Sequence, residues 1–229
     1  MVELHLAKVD VAGSSPVFRS KAVREIWLSF FLYRYCTEVL SFAMIRLMKA
    51  PCVEHILKDG TIVAIRSLER EDSAAAVACL ASCLVSTPFL AMEPEEWKTT
   101  EEQEAAFLEE ILKHEKKCML GAFVAGQLVG MADFAPVSTR LRLRHRAMCG
   151  ISIVEEYRNK KIGRHLMNYL LSLAKLVKFE QMELEVASHN HSAIRLYSEL
   201  SFKECGVITR AMKHKDGQYS DLLLMIAKL

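Results

Sequence analysis

The sequence predicts an α/β fold, and three observations lead to that prediction. Two β-prone runs, residues 119–124 and 128–134, flank the turn Ala125-Gly126-Gln127, a composition typical of a β-hairpin. A third apolar run, residues 145–154, predicts a strand that leads through a polar turn into a helix. That helix, residues 164–178, carries apolar side chains at i, i+3 and i+4 spacing. Alternating strands and helices of this kind form a sheet covered by helices.

Length and composition limit the class of protein. The chain has 229 residues, enough for one substantial domain and an appendage. Hydrophobic residues make up 52% and charged residues 25%, which indicates a packed core rather than disorder. The net charge is +2 and the basic residues are spread along the chain, so a general nucleic-acid binder is excluded.

The seven cysteines predict reduced thiols in a cytoplasmic protein. Their number is odd, no C-x-x-C pair occurs, and most lie in apolar segments. This pattern favours neither a disulfide framework nor a zinc site, and no metal is expected. The cysteines are Cys36, Cys52, Cys79, Cys83, Cys118, Cys149 and Cys205.

Residues 1–52 form an N-terminal extension with a helical pattern over residues 22–48. A membrane span at residues 26–45 is disfavoured because Arg34 and Glu38 would lie in hydrocarbon. A secretory signal is disfavoured for the same reason, and no clean cleavage site follows. A helix that packs on the domain, on a partner or at a membrane surface remains open. It also remains open whether the segment belongs to the functional protein.

The next part of the chain predicts one strand and two helices. Lys58-Asp59-Gly60 is a turn that leads into a strand at residues 61–65. Asp72 or Ser73 is expected to cap a helix over residues 74–85. A polar helix follows over residues 95–117, and residues 99–102 carry a start signal for its second part. Its expected apolar positions are Ala106, Phe107, Ile111 and Leu112.

The remaining elements follow the hairpin in order. An arginine-rich linker is expected first, then the strand and helix described above, then a strand, a helix and two closing strands separated by a loop. Their ranges are 136–144 for the linker, 182–186 for the strand, 190–200 for the helix, 202–207 and 222–226 for the closing strands, and 213–218 for the loop.

The polar turn before the long helix is a candidate anion site. It carries Arg158, Lys160 and Lys161, and Arg164 lies in the first helical turn. Unpaired N–H groups and the positive end of the helix dipole face outward there, and both favour a phosphate or pyrophosphate. An ordinary solvated basic turn is the alternative.

Two motifs extend this observation to a known family. Residues 158–163 resemble the R/Q-x-x-G-x-G/A loop of the GNAT acyl-CoA N-acyltransferases, with Lys161 in place of the first glycine. Residues 190–202 resemble the family's N-x-x-A-x-x-L-Y-x-x-x-G-F segment, with Ser201 in place of the glycine. The resemblance covers about residues 53–229. It implies the GNAT fold, a mixed central sheet flanked by helices.

The resemblance implies acetyl-CoA as cosubstrate and assigns residues to it. Main-chain groups of Ile151 and Ile153 would pair with the pantetheine arm, and Asn190 would both cap its helix and touch the cofactor. Lys161 could replace glycine if its backbone is not left-handed. The residues expected to line the pyrophosphate are Arg158, Asn159, Lys160, Lys161, Ile162, Gly163 and Arg164.

Tyr197 matches the tyrosine that the family places near the thioester sulfur. A phenol there could protonate the expelled thiolate. The alternative is a buried aromatic side chain on an amphipathic helix, since Ile194, Leu196 and Leu200 share the segment. The acid is favoured because a buried hydroxyl otherwise needs a separate partner.

The group that deprotonates the amine is less clear. Relatives often carry glutamate two residues before the position of Gly150, where this chain has Met148. His145 is a candidate because imidazole titrates near neutrality. It could equally be a surface residue beside Arg144 and Arg146, and water could relay the proton instead.

The function favoured by these residues is N-acetylation by direct attack of an amine on acetyl-CoA, without an enzyme nucleophile. The acceptor would be a small-molecule or peptide amine. A noncatalytic acyl-CoA sensor or partner-binding module is the alternative, and an ATP-binding protein using the same loop is a weaker one. Nucleic acid and membrane partners are not expected, and a homodimer stays open beside a monomer.

Overall fold

The computed structural model describes residues 49–229, which form one eight-stranded sheet with helices on both faces. The predicted α/β class and mixed sheet are confirmed. The strands are β1 (Val53–Ile56), β2 (Ile62–Ser67), β3 (Cys118–Val124), β4 (Gln127–Pro136), β5 (Arg146–Ile153), β6 (Gln181–Ala187), β7 (Lys203–Lys213) and β8 (Tyr219–Lys228). The helices are α1 (Ser73–Val85), α2 (Glu101–Lys113), α3 (Ile162–Leu176) and α4 (His191–Glu199).

The strands lie in the order β1-β2-β3-β4-β5-β6-β8-β7. Every neighbouring pair is antiparallel except β5 and β6, which are parallel. The parallel pair is joined through α3, because parallel neighbours need a crossover connection. The sheet is therefore mixed, and its single parallel junction lies near its middle.

Adjacent residues of β5 show which helices cover which face. Ile151 lies against the start of α3, where a Cβ added to Gly163 would be 3.5 Å from Ile151 Cδ1 and 3.3 Å from Leu196 Cδ2 of α4. Ser152 points to the other face and hydrogen-bonds the thiol of Cys83 in α1. Helices α3 and α4 therefore meet one face of β5, and α1 meets the opposite face.

Helix α3 packs a row of buried apolar side chains on that first face. Leu166, Met167, Leu170 and Ala174 are fully buried against β3, β4 and β5. Tyr169 is half-buried, and its hydroxyl donates to the carbonyl of Pro51 at 2.8 Å. The periodicity thus located the buried side of the helix, and Tyr169 lies at its border.

Three details differ from the sequence expectations. The sequence missed β1, which pairs with β2 across the predicted turn at residues 58–60. Helix α2 begins at Glu101, not Glu95, and buries Ala105 and Leu108 while Phe107 is exposed. Asp72 precedes α1, but its carboxylate accepts from Arg66 at 2.6 and 2.9 Å and does not cap the helix.

The interpretations given for residues 1–48 lie outside the described residues. Within residues 49–229 no helix is long and apolar enough to cross a bilayer. The six cysteines of that part of the chain are all free thiols.

Candidate active site

The site lies where β5 and β6 separate. Their pairing covers only Arg146–Met148 opposite Gln181–Glu183, although β5 continues to Ile153. At the closed end, the guanidinium of Arg146 binds the carboxylate of Glu183, with Nη2 2.7 Å from Oε2. Beyond Met148 the two strands form a fork with an open gap.

The main chain of β5 faces that gap at alternate residues. Val154 donates to the carbonyl of Val129 opposite it, and Arg146 accepts from Val137 opposite it, so even-numbered residues bond to β4. In an antiparallel ladder the intervening residues turn their N–H and C=O groups away from that neighbour. Cys149, Ile151 and Ile153 therefore present their main-chain groups to the fork, as the sequence interpretation requires of the two isoleucines.

Five consecutive amides lie free at the mouth of the fork. The N–H groups of residues 159–163 have no hydrogen-bond acceptor within the described part of the chain. The next two, of Arg164 and His165, both donate to the carbonyl of Lys161. Free amides that precede and open a helix form an anion site, strengthened by the helix dipole.

Two left-handed residues give this loop its curvature. Asn159 has φ of 61° and Lys161 has φ of 69°. Lys161 therefore does not avoid the left-handed region, and the condition under which it could replace glycine without strain is not met. The loop needs that conformation because residues with alternating signs of φ turn their successive N–H groups toward one concave side.

The basic side chains of the loop have different neighbours. Arg158 donates from Nε to the carbonyl of Ile153 at 3.0 Å and from Nη2 to Ser86 Oγ at 2.6 Å. Its guanidinium thus joins the end of α1 to the fork and occupies the carbonyl of Ile153. Arg164 pairs with Glu199 of α4. Lys160 and Lys161 are exposed, and neither forms an ion pair with residues 49–229, although the ammonium of Lys160 lies 4.9 Å from the centroid of the Tyr157 ring.

Tyr197 reaches β5 from the face that α3 and α4 cover. The side chain is only 6% exposed, and its hydroxyl has no hydrogen-bond partner among residues 49–229. Burial raises the pKa of the phenol, and the neighbouring thiol of Cys149 raises it further. A protonated donor therefore lies beside the first unpaired residue of β5.

Asn190 is the N-cap of α4. Its side-chain oxygen accepts from the amide of Ala193 at 3.2 Å, so the predicted capping role is confirmed. Because the oxygen is occupied, the amide NH₂ is the group left to donate to a ligand.

His145 and Met148 lie on the closed side of the fork. His145 directly precedes β5, and its carbonyl accepts from the amides of Glu180 and Gln181. His145 lies four positions before Cys149, about 13 Å along an extended chain. Direct contact between His145 and a group bound in the fork is therefore not favoured.

Sequence reasoning missed Asp133 of β4. This carboxyl lies opposite Gly150 of β5, and it has no ion-pair or hydrogen-bond partner within residues 49–229. Burial raises its pKa to about 6. An isolated Asp in the strand Gln127–Pro136, otherwise almost entirely apolar, was the available signal.

Comparison with known proteins identifies this arrangement. A sequence profile described as the acetyltransferase (GNAT) family matches residues 87–202. The chain belongs to the GNAT acetyltransferase family. The matched segment runs from the residue after Ser86 through the fork and the loop to the end of α4.

Individual GNAT relatives agree with this assignment. An N-alpha-acetyltransferase of Sulfurisphaera tokodaii is 29% identical over 133 residues, which cover 54% of this chain and 76% of the relative. A GNAT acetyltransferase from Streptococcus pneumoniae has a TM-score of 0.70 and 26% identity, over 73% of this chain and 99% of that one. A ribosomal-protein-alanine N-acetyltransferase from Brucella melitensis has a TM-score of 0.65 and 25% identity, over 72% and 99%. The family and the enzyme class predicted from the sequence are confirmed.

Two substitutions in the GNAT motifs carry a cost in stability. Lys161 and Ser201 stand where the motifs usually have glycine, and both have φ of 69°. Ser201 lies just after α4, where Phe202 donates to Tyr197 and Ser201 donates to Ser198. This is the helix ending that favours a left-handed glycine.

We therefore expect Lys161→Gly and Ser201→Gly each to stabilise the fold. Relief of the left-handed strain is about 1–2 kcal/mol, and the greater freedom of glycine in the unfolded chain offsets about 0.5–1 kcal/mol of it. The melting temperature should rise by roughly 2 °C for each variant. Lys175→Gly, in the last turn of α3, is the control and should lower it. A lower melting temperature for Lys161→Gly would contradict the strain argument.

Proposed function

We propose that this chain is an N-acetyltransferase in which an amine attacks acetyl-CoA directly. The observation that carries the proposal is the row of five free amides at residues 159–163, placed at the mouth of the fork between β5 and β6. A pyrophosphate on those amides leaves the rest of the cofactor room to extend along β5. A solved Salmonella typhimurium protein of the same fold contains acetyl-CoA as its cofactor.

The pyrophosphate would bind mainly to the main chain. The N–H groups of residues 159–163 donate to its oxygens, while the ammonium groups of Lys160 and Lys161 attract it from solvent. Arg158 and Arg164 support the loop through Ser86 and Glu199 and hold it in shape. No group of three or more metal-binding side chains occurs among residues 49–229, and the proposed reaction uses none.

The pantetheine arm would complete the ladder that β6 leaves open. Ile151 offers both its N–H and its C=O to the fork. Ile153 offers its N–H, since its carbonyl already accepts from Arg158. The NH₂ of Asn190 is a further donor on this path. The arm would thus direct the thioester toward Cys149 and Tyr197.

Tyr197 is proposed as the acid. Attack of the amine forms a tetrahedral adduct, and its collapse expels a thiolate. Because its pKa is raised, the phenol stays protonated across the neutral range and can donate to the sulfur. Its hydroxyl is not engaged within the described residues, so the hydrogen bond to sulfur replaces no other.

The acceptor is proposed to be a primary amine, with the α-amine of a peptide as the first class to test. Two relatives are named for that chemistry, the N-alpha-acetyltransferase of Sulfurisphaera tokodaii and the ribosomal-protein-alanine N-acetyltransferase of Brucella melitensis. Small-molecule amines form the second class. A proton acceptor is also required, and His145 could serve only through a water relay, given its distance along β5.

The test is release of free thiol from acetyl-CoA with a panel of peptide and small-molecule amines. Turnover with at least one amine is expected. Coenzyme A should also raise the melting temperature more than ATP does at equal concentration. Binding of acetyl-CoA without turnover under every condition would instead support an acyl-CoA sensor. Better protection by ATP would overturn the cofactor assignment.

A further inference from the structure

We infer that the carboxylate of Asp133 accepts the proton from the attacking amine. This inference rests on the proposed acetyl transfer. It assigns a catalytic role to β4, a strand outside both sequence motifs.

Strand pairing brings Asp133 to the fork. Asp133 and Gly150 are direct partners across β4 and β5, so their side-chain positions lie on the same face of the sheet. A Cβ added to Gly150 would be 3.2 Å from Asp133 Oδ1. The carboxylate therefore leans over Gly150 into space that any other residue would fill. In this way it spans the distance from its own strand to β5.

Acid and base would approach the thioester from opposite faces. Tyr197 lies on the face covered by α3 and α4, near enough to Cys149 for that thiol to raise the pKa of the phenol. Asp133 lies over Gly150 on the other face. Residues 149 and 150 are the first two of β5 beyond the pairing with β6. The two groups thus flank the point where the gap opens.

The face of Asp133 is open at one end. Toward the tip of β5, Ser152 contacts Cys83 of α1, which closes that side. Toward the first residues of β5, Met148 is 38% exposed. An amine can therefore reach the carboxylate by passing over Met148. Asp133 itself is half-buried, which allows contact with a ligand while limiting its hydration.

The groups around Asp133 leave the pKa of its carboxyl close to neutral pH. Burial alone raises its pKa to about 6. The nearby thiols of Cys118 and Cys149 have raised pKa values, so they are neutral at pH 7. The titratable groups of α1, the helix on this face of β5, are Cys79 and Cys83, which hydrogen-bond each other.

Two cations close to the strands of the fork already have partners. Arg146 and Glu183 bind each other at its closed end. Arg158 donates to Ser86 and Ile153. Asp133 is therefore ionised above about pH 6 without a cation that would weaken it as a base.

The step balances without another reactant. The amine nitrogen bonds to the carbonyl carbon of the thioester, and one N–H proton passes to the Asp133 carboxylate. The C–S bond then breaks, and the thiolate takes the proton of Tyr197. Solvent returns a proton to the phenolate and removes one from Asp133, so the products are the amide and coenzyme A.

The experiment compares Asp133→Asn with wild type over pH 5–9, using one amine from the panel that turns over. Wild-type kcat/KM should rise through about pH 6 and level off, apart from the limb that the amine itself contributes. In Asp133→Asn the acidic limb of the profile, which Asp133 contributes, should vanish, and the rate at pH 8 should fall about a hundredfold. Acetyl-CoA affinity should not change.

Glu104→Gln is the matched control. Glu104 is a buried carboxyl of α2 whose pKa is also raised by burial, but α2 does not carry the fork. A carboxyl whose pKa is raised in the folded protein destabilises the fold when it ionises, so stability falls as the pH rises through that pKa. Both variants should therefore melt higher than wild type at pH 8 and no higher at pH 4. Only Asp133→Asn should lose the kinetic limb.

Each outcome decides the inference. If the wild type turns over and Asp133→Asn keeps both the wild-type rate and the acidic limb of the pH profile, the inference is overturned. The proposed acetyl transfer would then remain intact. A fall in rate that preserves the limb would assign Asp133 a structural role and would also overturn the inference. No turnover by wild type with any amine would overturn both the inference and the proposed function.

Discussion

Replacement of Tyr197 by phenylalanine is expected to lower acetyl transfer at least a hundredfold, the usual contribution of a positioned acid. Without the hydroxyl, the thiolate must leave unprotonated. The ring would stay in place because it packs against Phe202, with centroids 5.8 Å apart. The hydroxyl has no hydrogen bond to residues 49–229, so its removal should not destabilise the fold. Thiol release with a reactive amine, alongside titration with acetyl-CoA, measures both effects.

Tyr169→Phe is the matched control for this variant. Tyr169 lies on α3, its pKa is raised to about 12 by burial, and its hydroxyl donates to Pro51. Its loss should cost about 1 kcal/mol of stability and no turnover. If Tyr197→Phe retains the wild-type rate while binding acetyl-CoA, Tyr197 is only a core aromatic residue. If affinity falls as much as the rate, its role is in binding.

We expect that reversing the charge of the two exposed lysines of the loop weakens coenzyme A binding about ten- to a hundredfold at low salt. The double variant is Lys160→Glu with Lys161→Glu. The amides of residues 159–163 remain, but two negative charges then lie near the pyrophosphate. At 0.5 M salt the difference from wild type should shrink, since the exposed charges are screened. Titration calorimetry at two salt concentrations measures both quantities.

Lys175→Glu, in the last turn of α3, is the control for charge reversal. It is exposed like the other two lysines but lies at the opposite end of the helix. Its effect on coenzyme A affinity should be less than threefold, because charges separated by more than a Debye length are screened. Equal losses in the two variants would show that net charge, and not the loop, governs binding. An unchanged affinity in the double variant would remove the lysines from the site.

The two motifs could be predicted from sequence because their chemistry is local. A basic turn, a periodic helix and the segment around Asn190 and Tyr197 each occupy one continuous stretch. Hydrophobic periodicity likewise located α3, since burial of one helix side needs only i, i+3 and i+4 spacing. For α2 the prediction was right at Ile111, which is buried, and wrong at Phe107, which is exposed. Glu104 and Ala105 are buried instead.

Contacts between distant stretches were decided only by the tertiary structure. Arg158 joins Ser86, 72 residues away, and Asp133 faces Gly150 only because β4 and β5 pair in one register. A shift of one residue would turn Asp133 to the other face. The fork itself arises because β6 leaves β5 after three pairs and continues with β8.

The sequence by itself thus determined the order of the elements after β1, the candidate anion loop and the candidate acid. The tertiary structure decided that Lys161 is left-handed, that β5 faces an open gap and that a carboxylate of β4 lies over Gly150 of β5. The physical reason is that spacing along the chain fixes local hydrogen bonds and helix faces. Strand register and burial depend on the whole sheet.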